Sequence, residues 1–232
     1  MPSSTTRLRP SLKGTAPGIT YESSLWDGGD EFLVGLDEVG RGAWAGPLTV
    51  GAVIVPRDRR IYKIRDSKQL KPSERESLLD PIKEWSLAWS VGHASAAECD
   101  DLGMSKAQQL AAQRAISNLG LVPDHALVDG PWDFVGSIPT TTIVKGDSIS
   151  LSIASASIVA KVTRDRLMQQ ASDTFPWYSF DSNKGYPCSK HRSALFQLGP
   201  STIHRQSWSY MEKLPWNGIE GCGNAPDPLT LF

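Results

Sequence analysis

Apolar residues along the chain fall into two patterns, short runs rich in Val, Ile and Leu and longer stretches with helical spacing. Five short runs predict β-strands: residues 32–36, 48–55, 87–91, 126–128 and 140–144. A glycine-rich connection over residues 40–47 joins the first two runs, which predicts that their strands are neighbours.

Helical spacing marks four segments between and after these runs. Ser73 and Glu76 form a capping-box pattern ahead of an apolar stripe, in a helix that Pro81 is expected to kink or divide. A second helix is predicted from Ser105 to Gly120, because glycine commonly follows the last helical turn. Two later helices are predicted over residues 151–171 and 189–199.

The order of these elements predicts the fold class. Strands come first in adjacent pairs and later alternate with helices, which indicates an α/β fold with a mixed sheet packed by helices. A chain of 232 residues fits one domain with short extensions. Residues 1–30 are punctuated by Pro and Gly, residues 215–232 by Asn, Gly and Pro, and both show little periodicity, so they are predicted to be flexible. The functional domain is therefore expected over residues 31–214.

Charge is close to balanced overall but uneven along the chain. The formal net charge is −1, which argues weakly against a nucleic-acid partner. Residues 57–71, however, contain seven Lys and Arg residues against two Asp, and residues 184–205 contain four Lys and Arg residues, two His and no acid. Each segment is either a solvated face or a phosphate-binding surface.

Composition also excludes several classes of protein. No apolar run reaches the roughly 18 residues that a membrane span needs, and the first residues lack the apolar stretch of a secretory signal. The three cysteines show no paired spacing, so neither disulfides nor a zinc site is predicted. We expect a cytoplasmic protein with free thiols, monomeric by default.

Four acidic residues stand at the ends of predicted strands, next to glycines. Asp37 and Glu38 follow the first run, Asp129 ends the run at 126–128, and Asp147 follows the run at 140–144. Adjacent carboxylates at a strand end repel each other and lose hydration, and a bound cation offsets both costs. On the residues alone, solvated strand ends remain the alternative interpretation.

Carboxylates without histidine or cysteine favour hard cations such as Mg²⁺ or Mn²⁺. If the four acids converge at one edge of the sheet, two ions about 4 Å apart can activate water and stabilise the leaving oxygen of a phosphodiester. This chemistry is that of a nuclease. His191 and His204 show no ligand pattern, and Asp165, between two arginines on a long helix, is expected to form a structural ion pair.

Ordered motifs over residues 31–208 resemble ribonuclease HII. They are Gly35-Leu36-Asp37-Glu38-Val39-Gly40-Arg41-Gly42, Gly46-Pro47, Ala52-Val53-Ile54, Asp66-Ser67-Lys68, Leu127-Val128-Asp129-Gly130, Lys145-Gly146-Asp147, Ala160-Lys161-Val162, Arg164-Asp165-Arg166, Lys184-Gly185-Tyr186 and His204-Arg205. The resemblance implies an RNase H-like mixed sheet flanked by helices, with a C-terminal helical segment. It also implies that the catalytic, metal-binding carboxylates are Asp37, Glu38, Asp129 and Asp147, with two Mg²⁺ or Mn²⁺ ions.

The resemblance further implies which residues bind the substrate. Main-chain groups of Gly40, Arg41 and Gly42 are expected along the ribonucleotide, near the 2′-hydroxyl that distinguishes RNA from DNA. Tyr186 is expected to stack on the deoxyribose that follows. Contacts to backbone phosphates are expected from four residues: Ser67, Lys68, Lys145 and Lys184.

The tyrosine motif departs from the common form of the family, which is His-Lys-Gly-Tyr-Gly-Thr. Here Asn183 replaces the histidine, and Pro187 and Cys188 follow Tyr186. Because proline fixes its own φ and restricts the preceding residue, the preference between single ribonucleotides and longer hybrids stays open.

The activity implied is hydrolysis of the phosphodiester 5′ of ribonucleotides, in RNA–DNA hybrids and at single ribonucleotides in duplex DNA, leaving 3′-hydroxyl and 5′-phosphate ends. It would remove misincorporated ribonucleotides and primer RNA. The alternatives are a type III ribonuclease H, disfavoured by the short segment before Glu31, another RNase H-like nuclease, and a non-catalytic hybrid-binding protein. No motif identifies a replication-clamp partner.

Overall fold

The structure is a computed structural model that describes residues 9–14 and 16–214. Its strands are β1 (Leu33–Val39), β2 (Leu48–Ile54), β3 (Ala88–Ala94), β4 (His125–Asp129) and β5 (Thr140–Ile143). Its α-helices are α1 (Thr20–Gly28), α2 (Pro72–Trp85), α3 (Ala96–Leu102), α4 (Met104–Ser117), α5 (Gly146–Ile149), α6 (Leu151–Thr174), α7 (Phe180–Asn183) and α8 (Ser189–Leu198). Short 3-10 helices cover Pro10–Leu12, Pro176–Tyr178 and Met211–Lys213.

The five strands form one mixed sheet in the order β3-β2-β1-β4-β5. β1 pairs antiparallel with β2 and parallel with β4, and β5 continues the parallel half. Since β1 is central and shares its direction with β4, the carboxyl ends of these two strands lie at the same edge. The predicted α/β class and mixed sheet are confirmed.

Helices cover both faces of the sheet. Val34 and Leu36 of β1 are buried in an apolar cluster that includes Ala107 and Ala111 of α4. Leu33 belongs to a second cluster, which is built with α6 and α2 on the opposite face. The period-2 alternation of β1 therefore supplies both cores.

Helix α6 lies unusually close to the strands beneath it. A Cβ atom at Gly35 of β1 would lie 2.2 Å from the carbonyl carbon of Ser152, and one at Gly51 of β2 would lie 2.4 Å from the carbonyl oxygen of Ala156. Glycine at both positions, opposite small residues of α6, lets the backbones approach. The main chain of α6 is thus in direct contact with the main chain of both strands.

A third apolar cluster lies around the end of α6 and holds the predicted C-terminal helical segment. Phe180 and Leu195 are fully buried there, next to Trp44 from the β1–β2 connection. The connection that follows the strand-end acids therefore packs directly against the C-terminal helices.

The segment predicted as a flexible arm, residues 1–30, contains helix α1. Trp26 packs in the cluster under α6, and the fully buried Glu22 accepts hydrogen bonds from Ser150 and Ser152 at the start of α6. These partners lie 128 and 130 positions away along the chain, so local periodicity gave no signal for this helix.

Two predicted helix starts were wrong. Helix α2 begins at Pro72, whose φ is already helical, and Glu74 accepts from the N–H of Lys71; it also runs through Pro81 without a break. Helix α4 begins at Met104 after Gly103.

Cys99 and Cys188 are free thiols, whereas Cys222 and the predicted tail, residues 215–232, lie outside the described residues. No helix in the described part of the chain is long and apolar enough to cross a membrane.

Candidate functional site

Three of the strand-end acids meet at one edge of the sheet. Asp37 stands near the end of β1, Asp129 ends the parallel strand β4, and Asp147 lies in α5, directly after β5. Each offers a carboxylate oxygen within 4.8 Å of the others. The parallel pairing of β1, β4 and β5 accounts for this convergence, because their carboxyl ends share one edge.

Main-chain donors hold two of these carboxylates. The N–H of Gly146 donates to Oδ1 of Asp129 over 2.7 Å, and the N–H of Glu38 donates to Oδ1 of Asp37 over 2.8 Å. The turn before α5 is therefore tied to the end of β4, which keeps Asp147 beside Asp129.

The acids raise one another's pKa values. Burial, followed by the charges of Glu38 and Asp129, raises the pKa of Asp37 well above its usual range. Burial and the charge of Asp129 raise the pKa of Glu38, and burial and the charge of Asp147 raise that of Asp129. The ionised cluster is thus destabilised by its own charge, and a cation would relieve the repulsion.

Lys68 brings a positive charge to this cluster. Its Nζ lies 2.7 Å from Oδ2 of Asp147, which is 3% exposed, while the lysine side chain is largely exposed. Burial acts to lower the pKa of Lys68, but the hydrogen bond and the charge of Asp147 raise it overall. Ser67 is buried next to it and accepts a hydrogen bond from Ser157 of α6 over 2.7 Å.

Glu38 lies outside the 4.8 Å group and is held from the other side of the sheet. Gln108, a buried residue of α4, donates from Nε2 to Oε2 of Glu38 over 3.2 Å. The same amide accepts from Arg41 over 2.5 Å. Gln108 therefore connects a predicted metal ligand to a predicted substrate-binding residue.

The glycine segment and the tyrosine loop meet at Gly40. Its N–H donates to the hydroxyl of Tyr186 over 3.0 Å. Gly40 has a φ of 91°, and a Cβ there would lie 2.3 Å from Nε of Arg164, so only glycine fits without rearrangement. The guanidinium of Arg164 lies 5.3 Å from the centre of the Tyr186 ring.

One open pocket of 370 Å³ contains most of the predicted site. Its lining combines acids, the glycine segment, cationic and hydroxyl groups and the tyrosine: Asp37, Glu38, Asp129, Gly40, Arg41, Gly42, Ser67, Lys68 and Tyr186. Lys145 is exposed outside this lining, and the Nζ of Lys184 is hydrogen-bonded to the carbonyl of Asp181. Of the predicted site residues, the lining thus leaves out these two lysines and Asp147, which is buried and bonded to Lys68.

Three residues that the sequence did not assign to the site also line the pocket: Arg75, Ser157 and Lys161, the last already named within the Ala160-Lys161-Val162 motif. Asp165 forms the predicted structural ion pair, accepting from Lys161 over 2.5 Å and lying 3.8 Å from Arg75. The spacing of four between Lys161 and Asp165 was a signal that could have located this lysine. His191 and His204 are buried and do not line the pocket.

The sheet order, the acids at the ends of its parallel strands and a pocket lined by both acidic and cationic groups are those expected of the ribonuclease H class. The sequence profile of Ribonuclease HII matches residues 34–211. The chain therefore belongs to the ribonuclease HII family.

Known relatives and solved structures agree. Ribonuclease HII of Synechococcus sp. (strain JA-3-3Ab) is 45% identical over 213 residues, which cover 90% of this chain and 96% of the relative. Ribonuclease HII of Thermus thermophilus is 44% identical over 194 residues, covering 84% and 94%. The ribonuclease H2 structure from Pyrococcus horikoshii OT3 gives a TM-score of 0.65 at 25% identity, covering 79% of this chain and 96% of that one.

A further structural relative is RNase HII of Archaeoglobus fulgidus, solved in a complex with PCNA, with a TM-score of 0.66 and 25% identity over 82% of this chain and 98% of that chain. Together these matches make the protein a type II ribonuclease H endonuclease, with ribonuclease H activity on RNA–DNA hybrids. The type III enzyme and the non-catalytic binder, weighed as alternatives on the sequence, are set aside.

Proposed function

We propose that this protein hydrolyses the phosphodiester on the 5′ side of ribonucleotides, both in RNA–DNA hybrids and at single ribonucleotides embedded in duplex DNA, leaving 3′-hydroxyl and 5′-phosphate ends. The observation that carries the proposal is the pocket in which the buried Asp37 and the half-buried Glu38 and Asp129 lie beside Gly40 and Tyr186. The acids supply the chemistry of phosphodiester hydrolysis. The contact between Gly40 and Tyr186 places main-chain groups and an aromatic ring where they can contact the sugars of the substrate.

The residues present fit a divalent cation. The cluster offers only oxygen ligands, and the raised pKa values of Asp37, Glu38 and Asp129 reflect burial and mutual repulsion that a cation would relieve. We propose that these three acids and Asp147 hold two Mg²⁺ or Mn²⁺ ions. When bound, such ions supply an activated water and stabilise the charge that develops on the leaving oxygen.

The chain's own groups then bind and orient the nucleic acid. Main-chain groups from Gly40 to Gly42 would contact the ribose, where an open backbone reaches the 2′-hydroxyl. The ring of Tyr186 would lie against the next sugar. Phosphate contacts are assigned to the predicted Ser67, Lys68, Lys145 and Lys184 and to the pocket residues Arg75 and Lys161.

We infer that such an enzyme removes misincorporated ribonucleotides and primer RNA, acting as a monomer in the cytoplasm. The pairing of the Archaeoglobus enzyme with PCNA makes a replication clamp a partner worth testing, although no described residue of this chain argues for it.

Cleavage of two labelled substrates tests the proposal: a DNA duplex with one ribonucleotide and an all-RNA strand on DNA. We expect cleavage 5′ of the single ribonucleotide with Mg²⁺ or Mn²⁺, and none with a chelator. Asp129→Asn should lose at least about 100-fold in rate, because it removes one carboxylate ligand. Asp58→Asn, at an exposed aspartate outside the pocket, is the matched control and should cut like the wild type.

Three results would count against the proposal. Cleavage in the presence of a chelator would show that the reaction needs no metal ion. Cleavage of the long hybrid alone would show that Tyr186 does not recognise the junction between ribonucleotide and DNA. A folded wild-type protein that cuts neither substrate would refute the activity itself.

A further inference from the structure

Two histidines lie buried side by side behind the tyrosine loop. His191 of α8 is 0% exposed, and His204, in the segment after α8, is 2% exposed. Their Nε2 atoms are 2.9 Å apart. The aromatic rings of Trp44, Tyr178 and Phe180 contact the pair, which is buried and lies outside the pocket lining.

The hydrogen-bond partners determine which nitrogen of each ring carries the proton. The N–H of Ser201 donates to Nδ1 of His204 over 2.9 Å, so this nitrogen is an acceptor and Nε2 of His204 carries the hydrogen. That Nε2–H can only donate to Nε2 of His191. The hydrogen of His191 is therefore on Nδ1, which lies 2.9 Å from the carbonyl oxygen of Tyr186 and donates to it.

This series of hydrogen bonds, from Ser201 through His204 and His191 to Tyr186, fits two neutral rings. A second proton on His191 would set two N–H groups against each other across 2.9 Å, and a second proton on His204 would break the bond from the Ser201 N–H and leave only the Ser201 hydroxyl, 2.8 Å away, as its acceptor. Burial lowers the pKa of His204 to about 3, with the neighbouring His191 adding to the shift, and burial also lowers the pKa of His191. Both rings are therefore uncharged at neutral pH.

The last hydrogen bond of this series reaches the main chain of the loop that carries Tyr186. Tyr186 follows Gly185, whose φ is 81°, and precedes Pro187, which has no N–H to anchor the loop. The carbonyl of Tyr186 is held by His191, and its hydroxyl accepts from Gly40. The residue is thus fixed at its main chain and at the tip of its side chain.

We propose that His191 and His204 are positioning residues that set the ring of Tyr186 and thereby the preference for a ribonucleotide joined to DNA over continuous RNA. This inference rests on the proposed function of Tyr186 at the RNA-to-DNA junction. The histidines act only through the loop, so their loss should change substrate preference more than the hydrolytic step.

Two substitutions at His191 separate hydrogen bonding from packing. His191→Phe keeps an aromatic ring in the cluster but removes both the Nδ1–H donor and the Nε2 acceptor of the His204 hydrogen, whereas His191→Asn restores an amide N–H close to the position of Nδ1. We expect His191→Phe to lower kcat/KM on the single-ribonucleotide duplex about tenfold relative to the long hybrid, as the loss of one well-placed hydrogen bond does. His191→Asn should recover most of that ratio.

The result that would overturn the inference is an unchanged ratio in His191→Phe, or equal losses on both substrates, in protein that is folded at the assay temperature. A wild-type enzyme that fails to cut the single-ribonucleotide duplex overturns the proposed function, and this inference with it. If His191→Phe does not fold, ¹⁵N NMR of the wild-type imidazoles at neutral pH tests the series of hydrogen bonds on which the inference rests. We expect hydrogen on Nδ1 of His191 and on Nε2 of His204, and the reverse tautomers would refute the inference, because His191 could not then donate to Tyr186.

Discussion

The N–H of Gly40 donates to the hydroxyl of Tyr186 over 3.0 Å, joining residues that lie 146 positions apart in the chain. One belongs to the connection between β1 and β2 and the other to the loop before α8. Both residues line the pocket that contains Asp37 and Asp129, and the bond between them fixes the tip of the tyrosine side chain against the glycine segment.

Tyr186→Phe should weaken recognition of the junction between a ribonucleotide and DNA while leaving the acids intact. The variant keeps the ring and removes the acceptor of the Gly40 N–H, so we expect kcat/KM on the single-ribonucleotide duplex to fall about three- to tenfold. Steady-state kinetics on both substrates measure the effect. Tyr21→Phe, at a partly exposed tyrosine of α1 outside the pocket, is the control for removing a tyrosine hydroxyl elsewhere. Equal losses in both variants would contradict a role specific to Tyr186.

Binding of a divalent ion should stabilise the fold through the carboxylate cluster. Because Asp37, Glu38 and Asp129 raise one another's pKa values, we expect Mg²⁺ at about 100 times its Kd to add about 2.7 kcal/mol to the free energy of unfolding. Asp129→Asn should abolish most of this gain and, without metal, should melt no lower than the wild type, since one repelling charge is gone. Differential scanning calorimetry with and without Mg²⁺ tests both statements, and a lower metal-free Tm for Asp129→Asn would argue against repulsion.

Gly35→Ala should be strongly destabilising. Its Cβ would lie 2.2 Å from a main-chain carbon of α6, and no side-chain movement can relieve that contact. We expect a loss of about 3 kcal/mol or more in the free energy of unfolding, measured by urea denaturation. Gly28→Ala is the matched control, because nothing lies within 4 Å of a Cβ there and alanine favours the helix. A loss in Gly35→Ala no larger than that in Gly28→Ala would mean that α6 can shift.

Acid should weaken the fold through His204. Its pKa is about 3 in the folded protein and 6.5 as the unperturbed value, so the unfolded chain takes up the proton first as the pH falls. The stability that His204 contributes is complete above pH 6.5 and declines as the pH falls toward 3. Between about pH 7 and pH 5 we expect a loss of about 2 kcal/mol from this residue. Urea denaturation of the wild type and His204→Asn at both pH values gives the difference, and parallel losses in the two proteins would contradict the assignment.

Much of the site could be predicted because its acids stand at the ends of strands, and the local sequence pattern marks where those strands end. A run of apolar residues that stops at Asp129 marks the end of a buried strand, and parallel neighbours bring such ends together. The expected convergence of Asp37, Asp129 and Asp147 is found in the structure, while their roles as metal ligands stay a prediction.

Other parts depend on contacts between distant segments. Gln108 sits in the middle of α4 with ordinary helical spacing, and nothing in the sequence shows that its amide reaches both Glu38 and Arg41. Helix α1 likewise has no side-chain cap, and its burial follows from the contact of Glu22 with the start of α6. Such pairings are decided by tertiary packing, which local pattern cannot express.

The main-chain seating of α6 on Gly35 and Gly51 has a consequence for how this enzyme can vary. Ser157 and Lys161, which line the pocket, belong to that helix, so their positions are tied to its main-chain contacts with β1 and β2. A side chain at either glycine would therefore displace both pocket residues together with the helix, whereas a substitution on the solvent face of α6 would leave them in place.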